Sequence, residues 1–153
     1  MDMHALPIET VIKLVIAMLL GMSLGLERLY AHKNAGMRTY ALVALAAAFF
    51  VTISETVASG SFSSVDRMRM ASQIIVGVGF LGGGLIFMKD DEIANLTTAA
   101  GLWVAAAIGV AVGFGLYFES VIATLLTLFI LSVLAMIERK FKERIAIHDG
   151  ENK

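Results

Sequence analysis

The residues with the most chemical capacity in this chain stand in small groups beside long apolar runs. Glu27, Arg28 and Arg38 bracket the segment "ERLYAHKNAGMR". A charge in hydrocarbon is costly, and an ion pair offsets that cost. Thr39 suits the cap of a following helix, while the helix dipole disfavours a cation beside it, so Arg38 calls for an acidic partner. Glu27 paired with Arg38 is the arrangement expected; Arg28 is the other available partner, or else a membrane anchor. Asp66, Arg69, Gln73, Gly77, Phe80 and Gly84 recur at spacings of three and four, which is one stripe on a helix. Asp66 suits an N-cap with Arg69 as its ion partner, and both fit an ordinary capped helix. Gln73 lies one turn deeper and needs a partner in hydrocarbon, so the stripe is expected to face the bundle interior. Asp90, Asp91 and Glu92 have oxygens that suit a partly hydrated Mg²⁺, although a solvated acidic turn accounts for them better. Asn95, Thr97 and Thr98 can cap the helix after them, and Trp103 fits an interfacial belt.

Other chemistries are excluded or left without support. The 153 residues include no cysteine, so thiolate metal sites, thiol nucleophiles and disulfides are absent. The histidines at 4, 32 and 148 are scattered and polar-flanked. No nucleophile–base pair is visible, so an enzyme is not expected. A net charge of −1 argues against a nucleic-acid partner. No cofactor is expected, Mg²⁺ at the acidic turn aside.

The elements that must hold these residues are membrane helices. The composition is 58% hydrophobic and 16% charged, against about a quarter charged in soluble domains. Apolar runs at 8–26, 40–54, 70–88, 98–116 and 118–137 each approach the ~20 residues that cross a bilayer. The expected fold is therefore all-α: a bundle of five transmembrane helices over 1–138, then a basic tail over 139–153. The reversal between the last two spans is expected near 117–119. The start of the chain lacks the basic region of a signal peptide, so the first run reads as a retained helix. Nine Lys and Arg fall on the side of the odd loops and tail, against three at 13, 67 and 69 on the other. That puts the N-terminus outside and the C-terminus in the cytoplasm. Lys13 is expected to snorkel outward, one turn from Glu9.

At an offset of 59, "GLERLYAHKNAGMRTYALVALAA" overlies "GLIFMKDDEIANLTTAAGLWVAA", pairing Gly25 with Gly84 and Thr39 with Thr98. Two readings stand: a parallel internal repeat, or Ala/Gly-rich hairpins alike in composition. Gly21 and Gly25 are four apart, as are Gly79 and Gly83, and Gly109 and Gly113. Such pairs let membrane helices approach closely. Gly82, Gly83 and Gly84 in one turn exceed the needs of one crossing and imply a kink, a very close approach or an unwound stretch. This much small-residue surface points to self-association, with a homodimer expected, and the tail is expected to lie on anionic lipid.

Taken together, "GLER" (25–28), "AGMRTYALVA" (35–44), "DRMRMASQIIVGVGFLGGG" (66–84) and "NLTTAAGLWVAAAIGVAVGFG" (95–115) resemble the MgtC/SapB family of membrane proteins. The resemblance covers nearly all of the chain up to about residue 138. It carries Glu27, Arg28, Arg38, Thr39, Arg69, Gln73, Thr97 and Thr98 as polar positions, with Gly36, Gly79, Gly82, Gly84 and Trp103 beside them. Gly83 stands where the family commonly has alanine, and Asn95 where it commonly has glycine. The resemblance implies a short form without the soluble C-terminal domain of some members. It also implies a bacterial inner-membrane protein linked to Mg²⁺ homeostasis and to stress or virulence adaptation. Such a protein would act without catalysis, through a membrane partner such as the F-type ATP synthase. The alternative is a small ion carrier or channel with its path along the Gln73–Gly84 face.

Overall fold

The computed structural model of the chain describes residues 5–58, 66–89 and 92–141. Asp90, Asp91, the side chain of Glu92 and the tail beyond Phe141 lie outside the described residues. Five helices are long and apolar enough to cross a membrane, so the all-α bundle is present. They are α1 (Ala5–Tyr30), α2 (Met37–Ala58), α3 (Arg67–Leu85), α4 (Leu96–Gly113) and α5 (Tyr117–Phe129). The last continues through a π-helical turn, Ile130–Leu134, to Phe141.

Helix ends follow local chemistry. After α1, His32 takes the left-handed conformation (φ 54°), and the N–H groups of His32 and Lys33 donate to the Leu29 and Arg28 carbonyls at 3.0 Å each. After α4 the same double bond forms around Gly115 (φ 80°), with Gly115 donating to Val112 and Leu116 to Ala111 at 2.9 Å each. This closure satisfies the orphan carbonyls of a helix end. It also corrects the expected reversal: the chain turns at 114–116, because the left-handed residue that the turn requires is a glycine. Asp66 caps α3 as expected, accepting the Met68 N–H at 2.9 Å.

One element has no counterpart in the sequence expectation. Helix α3 stops at Leu85, short of Met88, and Phe87–Lys89 (β1) pairs antiparallel with Glu92–Ala94 (β2). Ile86, Phe87 and Ile93 are residue types that favour extended backbone. The glycine triplet, by contrast, stays helical, with Ile86 as the C-cap.

Helix α4 contacts all four other helices, and α2 packs against α1, α3 and α4. Glycines set the central spacing. A Cβ on Gly21 would lie 2.6 Å from the Tyr40 carbonyl oxygen, and one on Gly113 would lie 2.6 Å from Val51 Cβ. A Cβ on Gly109 would strike the backbone of Ala44, and one on Gly101 the hydroxyl of Tyr40. Gly25 likewise abuts Met37 and Gly36 at the start of α2. Around these contacts sits the core of Ala17, Leu24, Tyr40, Leu102, Ile108 and Val112. Helix α3 is the least buried, with 11% of its span inside the bundle against 17% for the last span and 56% for α4.

Candidate functional site

A single stripe of α1 builds the site. Lys13, Ala17, Gly21, Leu24 and Arg28 are all buried, and their spacings of three and four place them on one helical face. The stripe begins and ends with a cation, about 22 Å apart at 1.5 Å per residue. Lys13 is met by two carboxylates and Arg28 by one, and the two clusters lie at opposite ends of the bundle.

At the end that carries the turns 31–36 and 86–95, Arg28 is 3% exposed. Its Nε and Nη2 both reach Oε2 of Glu27, and Nη2 also donates to the Leu131 carbonyl at 3.2 Å. Leu131 lies in the π-helical turn, so Arg28 ties α1 to α5 where the regular helix ladder is interrupted. The same end holds Tyr40, fully buried, whose hydroxyl donates to the Thr98 carbonyl at 3.1 Å and so joins α2 to α4. The two turns meet as well. Asn34 donates to the Asn95 side-chain oxygen at 3.3 Å, and Asn95 donates to the Leu85 carbonyl at 3.1 Å.

Several expectations are corrected here. Glu27 pairs with Arg28 rather than Arg38. Helix α2 begins at Met37 and turns Tyr40 inward; Arg38, two residues and about 200° away, therefore points outward and is exposed. Thr39 is exposed inside the first turn, and Gly36 precedes the helix, accepting the Tyr40 N–H at 3.2 Å. Asn95 does stand at the N-cap of α4, but with φ 63° its side chain makes no cap bond and spans the turns instead. Thr97 and Thr98 lie within α4, the first exposed and the second buried. Trp103 is exposed.

At the far end, Lys13 Nζ lies 3.1 Å from Glu9 and 3.1 Å from Glu55 of α2. The spacing to Glu9 is as expected. The snorkelling is not, because Lys13 is 7% exposed and turns inward to a second carboxylate. Sequence reasoning missed Glu55, although the 13–17–21–24–28 stripe pointed Lys13 into the bundle.

The α3 stripe is also corrected. Asp66, Arg69, Gln73, Gly77, Phe80 and Gly84 are all exposed, because Ala71, Val78 and Gly82 supply the buried face. The Arg69 N–H donates to the Asp66 carbonyl at 3.2 Å, and no ion pair joins the two side chains. Gly77, Gly79, Gly83 and Gly84 have nothing within 4 Å of an added Cβ, while Gly82 lies 3.6 Å from Ala99. An open groove of about 480 Å³ runs between α2 and α3, and Gln73 is the polar residue among its lining. Among the described residues, no three His, Asp or Glu side chains are grouped to hold a metal ion.

Comparison with known proteins follows the same outline. The profile of the MgtC family matches residues 14–140. YhiD of Escherichia coli K12, provisionally named a magnesium transporter, is 37% identical over 129 residues, or 82% of this chain and 60% of that protein. The protein named MgtC in Brucella abortus is 44% identical over 121 residues, or 79% of this chain and 48% of that one. An uncharacterized Haemophilus influenzae protein is 36% identical over 156 residues, 92% and 65% respectively. The chain thus spans about half to two thirds of the length of these curated relatives. No solved structure matches it. With five apolar spans and a family profile over most of its length, this multi-pass membrane protein belongs to the MgtC family.

Proposed function

We propose that the protein is a non-enzymatic component of the bacterial inner membrane that serves Mg²⁺ homeostasis and stress or virulence adaptation by acting on a membrane partner complex. The observation that carries this reading is the division of labour at the turn end. Arg28, Glu27 and Tyr40 are consumed in holding helices together, whereas Arg38, Thr39 and Thr97 stand exposed at that end. The lysine and arginine count supports a cytoplasmic placement of this end. A complex such as the F-type ATP synthase would be met there. Self-association belongs to the same reading. Gly21/Gly25 and Gly109/Gly113 serve contacts within the chain, which leaves Gly79/Gly83 on α3 for a homodimer.

The test is growth under Mg²⁺ limitation of a strain whose own family member is deleted. Arg38→Ala with Thr97→Ala is expected to reach normal membrane levels and fail to restore growth. Full restoration at equal protein levels would overturn the reading.

A second reading is favoured by one feature, the polar Gln73 in the α2–α3 groove. It makes the protein a carrier or channel, in keeping with the name of the E. coli relative. Against it, the groove is otherwise apolar, and a cation such as Mg²⁺ sheds water reluctantly. Proteoliposomes with a Mg²⁺-sensitive dye separate the two. Flux above empty liposomes, lost on Gln73→Leu, would favour the carrier.

A further inference from the structure

The groove between α2 and α3 is graded along its length in a way that matches one kind of molecule. Arg69, exposed and without an ion pair among the described residues, stands just outside the lining, one residue before Met70 with which the groove begins on α3, at the membrane end opposite the turns. Asp66 nearby has a carboxylate oxygen committed to the Met68 N–H. One turn deeper is Gln73, exposed and lining the groove. Below it the lining is apolar, with Val43, Ala46 and Phe50 from α2 and Gly77 and Leu81 from α3. From Arg69 to Leu81 is about 18 Å along a helix, close to the ~15 Å depth of one leaflet's hydrocarbon. A cation, then a neutral hydrogen-bonding amide, then an apolar trough is the order of phosphate, ester and acyl chain. The volume of about 480 Å³ falls in the range of ligand pockets, which bury apolar bodies against a few placed polar groups.

We propose that this groove is a binding site for an anionic phospholipid, with the lipid phosphate on Arg69, an ester carbonyl accepting from the Gln73 amide, and one acyl chain along Gly77. Gly77 keeps the trough open, for no atom lies within 4 Å of its would-be Cβ. The site is separate from the face proposed for a second copy. At about 100° per residue, Gly79 and Gly83 lie roughly 200–240° around α3 from Gly77.

Native mass spectrometry of the purified protein tests the site, with phosphatidylglycerol and phosphatidylethanolamine of identical chains as probes. Wild type is expected to retain one phosphatidylglycerol with about fivefold preference, the amount one arginine confers at a membrane surface. Arg69→Gln should remove the preference and leave chain retention. Gly77→Leu should abolish retention of both lipids, while Gly79→Leu, on the opposite side of the same helix, should leave it unchanged in each protomer. Melting of each variant in detergent confirms that it is folded. Equal retention of the two lipids by wild type would overturn the proposal, as would unchanged retention in folded Gly77→Leu. Conversion of dimers to monomers by Gly77→Leu, with lipid retention intact, would assign the groove to a second copy instead.

Discussion

The α1–α2 hairpin and helix α3 of this protein use the same residue types to opposite ends. In the α1–α2 hairpin, Gly21 and Gly25 are pressed against Tyr40, Gly36 and Met37, and the charged residues Lys13 and Arg28 face inward to carboxylates. In α3, an added Cβ on Gly77, Gly79, Gly83 or Gly84 would have nothing within 4 Å, and Asp66, Arg69 and Gln73 face outward, while α4 packs its own Gly101, Gly109 and Gly113 against α2. Gly25 and Gly84 align at the 59-residue offset, yet the first is a contact and the second an opening. A glycine or a charge in a membrane helix therefore has no fixed meaning. The neighbouring helix decides whether it is structure or surface.

The comparison is broken most forcefully at Arg28. Glu27→Gln leaves a buried guanidinium without its carboxylate, expected to cost about 3–5 kcal/mol. Glu27→Gln combined with Arg28→Met should recover much of that loss, and Arg38→Gln should change little. Folded yield by fluorescence-detected size exclusion ranks the three. If Arg38→Gln were as damaging as Glu27→Gln, the inward assignment of Arg28 would be wrong.

A second contrast is one of sign. Gly21→Ala drives a methyl group against the Tyr40 carbonyl and Ala44 and should destabilise by about 1–3 kcal/mol. Gly84→Ala adds a methyl group in open space on a better helix former, so it should stabilise by about 0.5–1 kcal/mol. Melting temperatures in detergent moving in the same direction would undo the distinction between the α1–α2 hairpin and α3. The larger change Gly79→Leu should leave the melting temperature intact and shift dimers to monomers by native mass spectrometry. A smaller effect is expected at Tyr40→Phe, which removes the bond to the Thr98 carbonyl and should cost about 1 kcal/mol. An unchanged melting temperature would show that Gly101 accommodates the ring alone.

The five spans and the Asp66 cap were legible because apolar length and capping chemistry act locally. The partner of Glu27 was not. Arg28 and Arg38 are equally plausible by type, and the choice between them rests on how α2 is rotated about its axis. That rotation was set by Tyr40 fitting against Gly101, a contact between residues 61 apart in the sequence. The stripe from Lys13 to Arg28 did contain the answer for α1, since both cations share a helical face with Ala17 and Gly21, small residues that suit a helix contact. The direction of the α3 stripe was legible only from its buried alternatives, Ala71, Val78 and Gly82. These small side chains carry too little hydrophobic contrast to mark a face.

The position of Lys13 has a consequence for biogenesis. One of its two carboxylate partners, Glu55, lies 42 residues further along the chain. At roughly 5–20 residues per second, that partner is made on the order of 2–8 s after the lysine. During this interval α1 has Glu9 alone for its cation, and Arg28 still lacks the carbonyl that α5 will bring. Entry of α1 into lipid as a solitary segment is thus penalised at both ends of its inward face. Release from the insertion machinery as a hairpin with α2 removes the penalty at Lys13. The folding unit of this membrane protein is then the pair, and its first helix is completed by its second.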